Sequence, residues 1–268
     1  MDIPVILPVQ ERTDLPKQKP LHPNLPQPPN LWCLISPIKT GKSTILNNLL
    51  LNDNFYGQDY WDKVKIISNT IHADNTSRFL LKAFDCEDHY ADSMIDTIIA
   101  EQKKFDKVDQ PSMCVVLDDC LGSIRREASV NHFCSRFRHY LGVGATVMIS
   151  SQNFRMVSPI IRQNATAVII GSPFPNHKEL LKVAEEYGDM FGGQENWLKI
   201  YALATPNRYD FLFMNLNENP AIAYHNFESQ VAIGEKILGG DGSVGADISD
   251  ITEIKEKKEE EKKILDSI

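Results

Sequence analysis

The residues with the clearest chemical potential lie between an apolar run and a helical pattern near the start of the chain. The apolar run 31–35 precedes the helical pattern 45–51, and between them stand Ser36, Pro37, Ile38, Lys39, Thr40, Gly41, Lys42, Ser43 and Thr44. A tight loop in this position turns backbone N–H groups and the positive end of a helix toward anionic oxygens. The segment therefore predicts a loop that binds the phosphates of ATP or GTP.

This loop departs from the usual eight-residue motif at two positions. Ser36 stands where the first glycine belongs, and Lys39 occupies a position where small residues are usual. We expect the backbone at Lys39 to adopt a strained φ, at a cost of about 1 kcal/mol. An ordinary strand, turn and helix is the alternative interpretation of the segment taken alone.

Two further predicted strands end in polar side chains. Asp118 and Asp119 follow the apolar pattern 113–117, and Gln152 follows the pattern 145–150. In a parallel sheet, such strand ends face one crevice, where one carboxylate can hold Mg²⁺ through water and the other can take a proton from an attacking water. Gln152 can sense a γ-phosphate or orient water, because its amide both donates and accepts hydrogen bonds. A solvated turn is the alternative interpretation of the acidic pair.

The arginines are concentrated in one part of the chain. Six of the nine lie within 125–162, where Glu127 is the only acid. The guanidinium of arginine is planar and can bind two oxygens at once. The use of arginine without lysine therefore favours phosphate recognition, either of a neighbour's nucleotide or of a nucleic-acid backbone. A solvated basic helix is the alternative. The six are Arg125, Arg126, Arg136, Arg138, Arg155 and Arg162.

Five short motifs, taken in order, resemble those of one protein family. They are Gly41-Lys42-Ser43, Val116-Leu117-Asp118-Asp119, Arg136-Phe137-Arg138-His139-Tyr140, Ile149-Ser150-Ser151-Gln152-Asn153 and Pro159-Ile160-Ile161-Arg162-Gln163-Asn164-Ala165. The set resembles the genome-packaging ATPases of nucleocytoplasmic large DNA viruses, poxviruses and virophages, a viral branch of the FtsK–HerA superfamily of DNA-pumping motors. The Arg-His pair and the Ile-Arg-x-Asn motif distinguish this branch from kinases, GTPases and AAA proteins. The resemblance covers residues 31–215.

The resemblance implies a role for each matching residue of the phosphate site. Lys42 would contact the β- and γ-phosphates of ATP, while Ser43 and, through water, Asp118 would hold Mg²⁺. Asp119 would act as the general base, at a position where many relatives have Glu. Gln152 would be the sensor.

The resemblance also implies an arginine that is supplied across a subunit interface. In this superfamily that arginine precedes the sensor strand, so Arg138 is the first candidate and Arg136 the second. Arg162 falls on the Ile-Arg-x-Asn motif, and whether it faces nucleotide, DNA or a neighbouring subunit stays open.

Membership of this family would make the chain a Mg²⁺-dependent ATPase that forms a ring and moves double-stranded DNA into a preformed viral shell. Capsid proteins at a packaging vertex would be further partners, and the host cytoplasm, the viral factory or the virion the expected locations. One alternative is a nucleotide-dependent kinase or GTPase switch, which leaves the arginines unexplained and lacks an Asn-Lys-x-Asp guanine motif. Another is a non-catalytic capsid scaffold, which would have no need of Asp119 and Gln152.

Composition and charge set further bounds. A chain of 268 residues, 42% hydrophobic and 24% charged, can bury one large core. No apolar run approaches the ~18 residues of a membrane span, and the start lacks a secretory pattern, so we expect a soluble intracellular protein. Five cysteines without a CxxC pair indicate buried thiols. Half of the net charge of −8 comes from the nine acids and five lysines after residue 240, so contacts with DNA would rest on the arginine cluster.

Both ends of the chain differ in composition from the middle. Residues 1–30 hold eight of the fifteen prolines and predict an extended arm. Residues 239–268 begin with a glycine-rich break and predict a flexible linker followed by a charged helix. Residues 31–238, between these two segments, are predicted to form the ATPase domain.

Strand and helix patterns alternate within the middle segment. Together with the resemblance, the alternation predicts an α/β P-loop NTPase of the RecA/ASCE type, with a mostly parallel sheet and helices on both faces. A late hairpin of 209–214 and 221–225 would extend the sheet edge. The strand patterns lie at 31–35, 64–68, 113–117, 146–150 and 167–170, and the helical patterns at 42–51, 92–104, 126–140 and 178–187.

Overall fold

A computed structural model describes residue 20 and residues 22–107, 109–120, 129–174 and 176–232. In chain order the strands of these residues are β1 (Asn30–Ile35), β2 (Lys63–Ser68), β3 (Asp85–Glu87), β4 (Met113–Asp118), β5 (Thr146–Ser151), β6 (Ala167–Gly171), β7 (Phe211–Asn215), β8 (Ile222–His225) and β9 (Ser229–Gln230).

Helices occupy most of the segments between the strands. They are α1 (Lys42–Leu51), α2 (Arg78–Ala83), α3 (Asp92–Gln102), α4 (Ser129–Tyr140), α5 (Pro159–Asn164), α6 (His177–Tyr187) and α7 (Gln194–Ala204), with 3₁₀ turns at Phe154–Met156 and Gly188–Phe191. Within the described ranges, none of these helices has the length and apolar character that crossing a membrane would require.

All nine of these strands belong to one sheet, in the order β3-β2-β4-β5-β1-β6-β7-β8-β9. The strands from β3 to β6 in this order run parallel, and β7, β8 and β9 continue the sheet in antiparallel pairs. Ile149 of β5 is in register with both Cys33 of β1 and Leu117 of β4. The carboxyl ends of these three strands therefore lie side by side at one edge of the sheet.

Helices cover both faces of the sheet because alternate strand residues point in opposite directions. Trp32 and Leu34 of β1 join a core with α1 and α2, whereas Leu31, Cys33 and Ile35 join a second core with α3 to α7. The central strands β1, β4, β5 and β6 are buried along their whole length, which explains why their sequences read as nearly continuous apolar runs.

The predicted fold class is confirmed by the sheet order and the two helical layers. The five predicted parallel strands form with each end within one residue of the prediction, and α1 has the predicted bounds. The late hairpin forms as β7 and β8. The inclusion of Tyr209 in its first strand is wrong, because this residue has a φ of 76° and lies in a turn before β7 begins.

Several elements have no counterpart in the predicted pattern. These are α2, β3, α5, α7 and β9. The predicted helix 126–140 is described only from residue 129, where α4 begins. The predicted tail 239–268 lies outside the described residues, as do residues 1–19 of the predicted arm.

The described end of the predicted arm packs against the core. Leu25 is buried, and the Asn24 side-chain amide donates to the Phe227 carbonyl oxygen at 2.6 Å. The Pro26 carbonyl accepts from the Tyr56 hydroxyl at 2.5 Å and from the Asn30 amide at 3.1 Å. These bonds hold residues 22–30 beside the turns that follow α1 and β8.

Candidate active site

The predicted phosphate loop connects β1 to α1 at the carboxyl edge of the sheet. Gly41 has a φ of 94° and precedes the helix, and its carbonyl oxygen accepts from Ile45 N–H at 2.9 Å. Lys39 has a φ of 61°, so the strained backbone expected at this position is present. Ser36, Thr40 and Lys42 are buried, Pro37, Gly41 and Ser43 are half-buried, and Ile38, Lys39 and Thr44 are exposed.

Ser36 fits in the loop because the neighbouring strand ends in a glycine. A Cβ atom built on Gly171 would lie only 1.9 Å from the Ser36 hydroxyl oxygen and 2.7 Å from its Cβ. The missing side chain on β6 therefore supplies the space that the serine occupies. The Ser36 hydroxyl forms a hydrogen bond with the Thr40 hydroxyl, which donates to the Pro37 carbonyl oxygen. These bonds tie the two ends of the loop together.

Lys42, Asp119 and Gln152 meet at the edge where β1, β4 and β5 end. The Lys42 ammonium group donates to both Asp119 carboxylate oxygens at 2.8 Å. The Gln152 amide donates to Asp119 Oδ2 at 3.1 Å. Asp119 itself has a left-handed φ of 50°, and its N–H donates to the Ser150 hydroxyl at 3.2 Å. The Asp119 carboxylate thus connects three segments that are far apart in the sequence.

Asp118 is buried beside this group at the end of β4. Its carboxylate accepts from the Ser68 hydroxyl at 2.7 Å and from the Ser150 hydroxyl. Burial raises the pKa of Asp118 above its ordinary value; the two hydroxyls act against this shift, and the charge of Asp119 adds to it. Because burial disfavours the ionised form, a bound cation would stabilise the Asp118 carboxylate.

Ser43 contacts an acid that sequence reasoning missed. Its hydroxyl hydrogen-bonds to Asp74, which also accepts from Thr76 N–H at 2.9 Å and from the Ser77 hydroxyl at 3.1 Å. Burial alone would raise the pKa of Asp74, but these hydrogen bonds lower it below its ordinary value. Asp74 is therefore ionised at neutral pH and holds the Ser43 hydroxyl.

Ser43 and Asp118 offer oxygen atoms, the kind of ligand that a magnesium site uses. Mg²⁺ prefers oxygen ligands and usually keeps several waters. The Asp118 oxygens each accept one serine hydrogen bond, which leaves lone pairs for metal-bound water. The described residues contain no group of three or more His, Cys, Asp or Glu that could hold a metal ion. Most of the ligands would have to come from water and phosphate.

Arg136 and Arg138 are exposed on α4. The helix leads into β5, whose first residue, Thr146, lies at the edge of the sheet opposite Gln152. Six residues of β5 span about 20 Å, which is far longer than an arginine side chain. Arg138, close to the end of α4, therefore lies beyond reach of its own Lys42.

Two other members of the arginine cluster have partners within the chain. Arg155 pairs with the buried Glu179 at 2.8 Å, and Arg162 pairs with Glu186 at 3.4 Å. The Arg162 guanidinium also lies over the Phe154 ring, 4.3 Å from its centroid. These contacts account for Arg155 and Arg162 as links between α6 and the segment after β5. Arg125 and Arg126 lie outside the described residues.

No protein-family model matches the chain, and no curated protein matches it. Solved structures, in contrast, match the chain. The chain is similar to B204, the DNA-packaging ATPase of Sulfolobus turreted icosahedral virus, with a TM-score of 0.55 and 14% identity over 73% of this chain and 96% of that one.

The chain is also similar to structures of the B204 genome-packaging NTPase from Sulfolobus turreted icosahedral virus 2. The complex with AMP has a TM-score of 0.53 and the complex with ATPγS one of 0.50, each at 15% identity and with coverage of 73% of this chain and 96% of that one. At these identities the similarity establishes the fold, which is the α/β fold of P-loop ATPases.

The contact between Ser36 and Gly171 predicts a compensating pair of substitutions. Gly171→Ala should destabilise the protein by about 1–3 kcal/mol, because the new methyl group clashes with the Ser36 side chain. In a Ser36→Gly background the same change should cost much less, since the glycine removes both clashing atoms. Chemical denaturation of the two single variants and the double variant measures this coupling. Equal costs of Gly171→Ala in the two backgrounds would contradict the assignment.

Proposed function

We propose that the protein is a Mg²⁺-dependent ATPase that assembles into a ring and translocates double-stranded DNA into a preformed viral shell. The observation that carries the proposal is the meeting of Lys42, Asp119 and Gln152 at one sheet edge, beside a loop with free helix N–H groups. The shared fold with the DNA-packaging ATPase B204 supports it.

Nucleotide binding would have to break the ion pair between Lys42 and Asp119. A triphosphate carries more negative charge than one carboxylate and can accept from Lys42 and from the loop N–H groups together. Lys42 would therefore turn from Asp119 to the β- and γ-phosphates. Asp119, released from its cation, would then be free to accept the proton of an attacking water. In this way nucleotide binding itself would activate the base.

Gln152 and the serines around the acids would position the other reacting groups. The Gln152 amide lies 3.1 Å from Asp119 Oδ2, so a water held by both side chains would face the γ-phosphate. Ser43 and Asp118 would hold Mg²⁺, which supplies charge neutralisation at the β- and γ-phosphate oxygens when bound. Asp74 would fix the direction of the Ser43 hydroxyl.

Arg138 would complete the site of a neighbouring subunit. Charge spreads over the phosphoryl oxygens in the transition state, and a guanidinium supplied from outside can stabilise that charge. Arg138 is exposed and is separated from its own Lys42 by the length of the sheet. Hydrolysis would therefore require at least two subunits, and a ring would repeat the arrangement at every interface.

Contacts with DNA would rest on local positive charge. The chain has a net charge of −8, so it offers no general attraction for a nucleic acid. Arginines placed around a ring pore would supply cations where the DNA backbone passes, and the symmetry of the ring would multiply each contact. Capsid proteins at a packaging vertex as partners, and a location in the host cytoplasm, the viral factory or the virion, are proposed on the same family resemblance.

Two substitutions separate nucleotide binding from hydrolysis. Lys42→Ala should abolish binding or hydrolysis, because the loop loses the cation that faces the phosphates. Asp119→Asn should bind ATP at least as tightly as the parent, since Lys42 no longer has a competing carboxylate, while turnover falls by ~10² or more. Titration calorimetry with ATP and a phosphate-release assay measure the two quantities. Parental turnover in both variants would show that this is not the catalytic site.

A mixing experiment tests Arg138 as the arginine supplied to a neighbour. Arg138→Ala subunits should still bind ATP, because their own Lys42 and Asp118 are intact, but their turnover should fall by roughly 10³ or more. Mixing them with inactive Lys42→Ala subunits should restore part of the activity, because an interface can then combine an intact loop with an intact arginine. The restored rate should rise with protein concentration.

Arg136→Ala is the matched comparison, since Arg136 is exposed on the same helix. It should retain most of the parental rate. Full activity of Arg138→Ala would rule this residue out, and loss of activity in Arg136→Ala alone would transfer the role to the second candidate. Loss in Arg138→Ala without any recovery on mixing would indicate a role within its own subunit.

A further inference from the structure

A cavity of about 640 Å³ opens beside the phosphate loop, on the side of β1 away from Asp119. It begins at Gly41 and Thr44, at the start of α1, and extends to the turns that flank β7 and β8. Its volume falls in the range of ~300–1,000 Å³ that is typical of small-molecule sites. One wall is aromatic and consists of His22, Phe55, Phe211 and Phe227.

The aromatic wall is apolar and held together by ring contacts. His22 stacks on Phe55 with 5.1 Å between ring centroids, and Phe55 meets Phe227 edge to face at 5.4 Å. Burial lowers the pKa of His22 below its ordinary value, which the nearby Glu228 charge partly offsets. This shift favours the neutral imidazole, and the wall suits a flat heteroaromatic group.

Tyr209 lines this cavity and combines high solvent exposure with an unusual backbone conformation. The residue is 56% exposed, and its φ of 76° is one that bulky residues rarely adopt. A Cβ atom built on Gly41 would lie 4.0 Å from Tyr209 Cδ1, so the ring stands next to the phosphate loop. The Arg208 guanidinium lies 4.9 Å from the ring centroid. An exposed ring in a strained backbone is not explained by packing in the core.

The surrounding structure holds this strained turn in place. Asp210 accepts from Asn207 N–H at 2.8 Å and lies 3.4 Å from the His225 imidazole. On the facing turn, Asn226 also has a left-handed φ, 54°, and its side-chain oxygen accepts from Phe211 N–H at 3.0 Å. The sheet thus fixes two turns with left-handed residues around one cavity beside the loop.

The two ends of the cavity differ in charge. Lys42 and the helix N–H groups lie at the phosphate loop, whereas Glu228 adds a carboxylate to the wall formed by the turn after β8. A triphosphate is repelled by that carboxylate, while an amino group on a base can donate to it. A nucleotide that places its phosphates in the loop would therefore direct its nucleoside into the cavity.

We propose that this cavity is the nucleoside pocket, in which the base and ribose of the bound nucleoside triphosphate lie and Tyr209 stacks on the base. The inference rests on the proposed function for its phosphate site, and it assigns the residues that recognise the rest of the ligand. The strained turn at Tyr209 presents the ring before the nucleotide arrives, so little ordering is needed on binding.

The test compares ATP with inorganic tripolyphosphate, which fills the phosphate loop without a nucleoside. Titration calorimetry gives the affinity of both ligands for the parent and for Tyr209→Gly, Tyr209→Phe and Lys42→Ala. Tyr209→Gly should weaken ATP binding by roughly tenfold or more, since an aromatic side chain that stacks on a base contributes on that order. Its affinity for tripolyphosphate should be unchanged. Tyr209→Phe keeps the ring and should bind both ligands like the parent.

A stability measurement separates this role from a structural one. Glycine adopts a positive φ without strain, so the melting temperature of Tyr209→Gly should equal or exceed that of the parent. Greater or equal stability together with weaker ATP binding is the expected combination. A parental ratio of ATP to tripolyphosphate affinity in Tyr209→Gly would overturn the inference.

The remaining outcomes distinguish failure of the pocket from failure of the proposed function. If the parent binds ATP no more tightly than tripolyphosphate and Lys42→Ala binds neither, the nucleoside pocket is wrong while the phosphate site stands. If the parent binds neither ligand, the proposed function is wrong, and the pocket fails with it.

Discussion

The ion pair between Lys42 and Asp119 is the contact on which the rest of the site depends. It joins the first turn of α1 to the residue after β4, and it can form only because β1, β5 and β4 lie side by side with their carboxyl ends at one edge. The two side chains are 9% and 16% exposed, so solvent and salt weaken their attraction little. In the proposed mechanism both groups have other partners during hydrolysis, and the phosphates of the nucleotide would replace the carboxylate beside Lys42.

Much of this arrangement can be predicted from the sequence, because it follows from patterns within short segments. Strands buried on both faces must be almost wholly apolar, so β1, β4 and β5 are visible as runs whose ends are marked by the first polar residues. Parallel alternation with helices then places those polar ends together. For this reason the sequence alone predicts that Asp118, Asp119 and Gln152 lie at one site.

The parts that could not be predicted depend on contacts between distant segments. Nothing near Gly171 in the sequence indicates that its missing side chain makes room for Ser36, since this contact depends on how β1 and β6 pair. The contact of Asp74 with Ser43 and the approach of Tyr209 to the loop have the same origin. By contrast, α5 had a local signal, Ser158 followed by proline, in which the serine caps the helix.

The steady-state rate of ATP hydrolysis, measured with and without double-stranded DNA, decides whether the protein is a DNA-dependent motor. A motor whose sites are completed between subunits around DNA should hydrolyse ATP much faster when DNA is present, and Lys42→Ala should show no activity under either condition. Hydrolysis that depends on Lys42 but is unaffected by DNA at any concentration would contradict the account of a DNA-translocating ring.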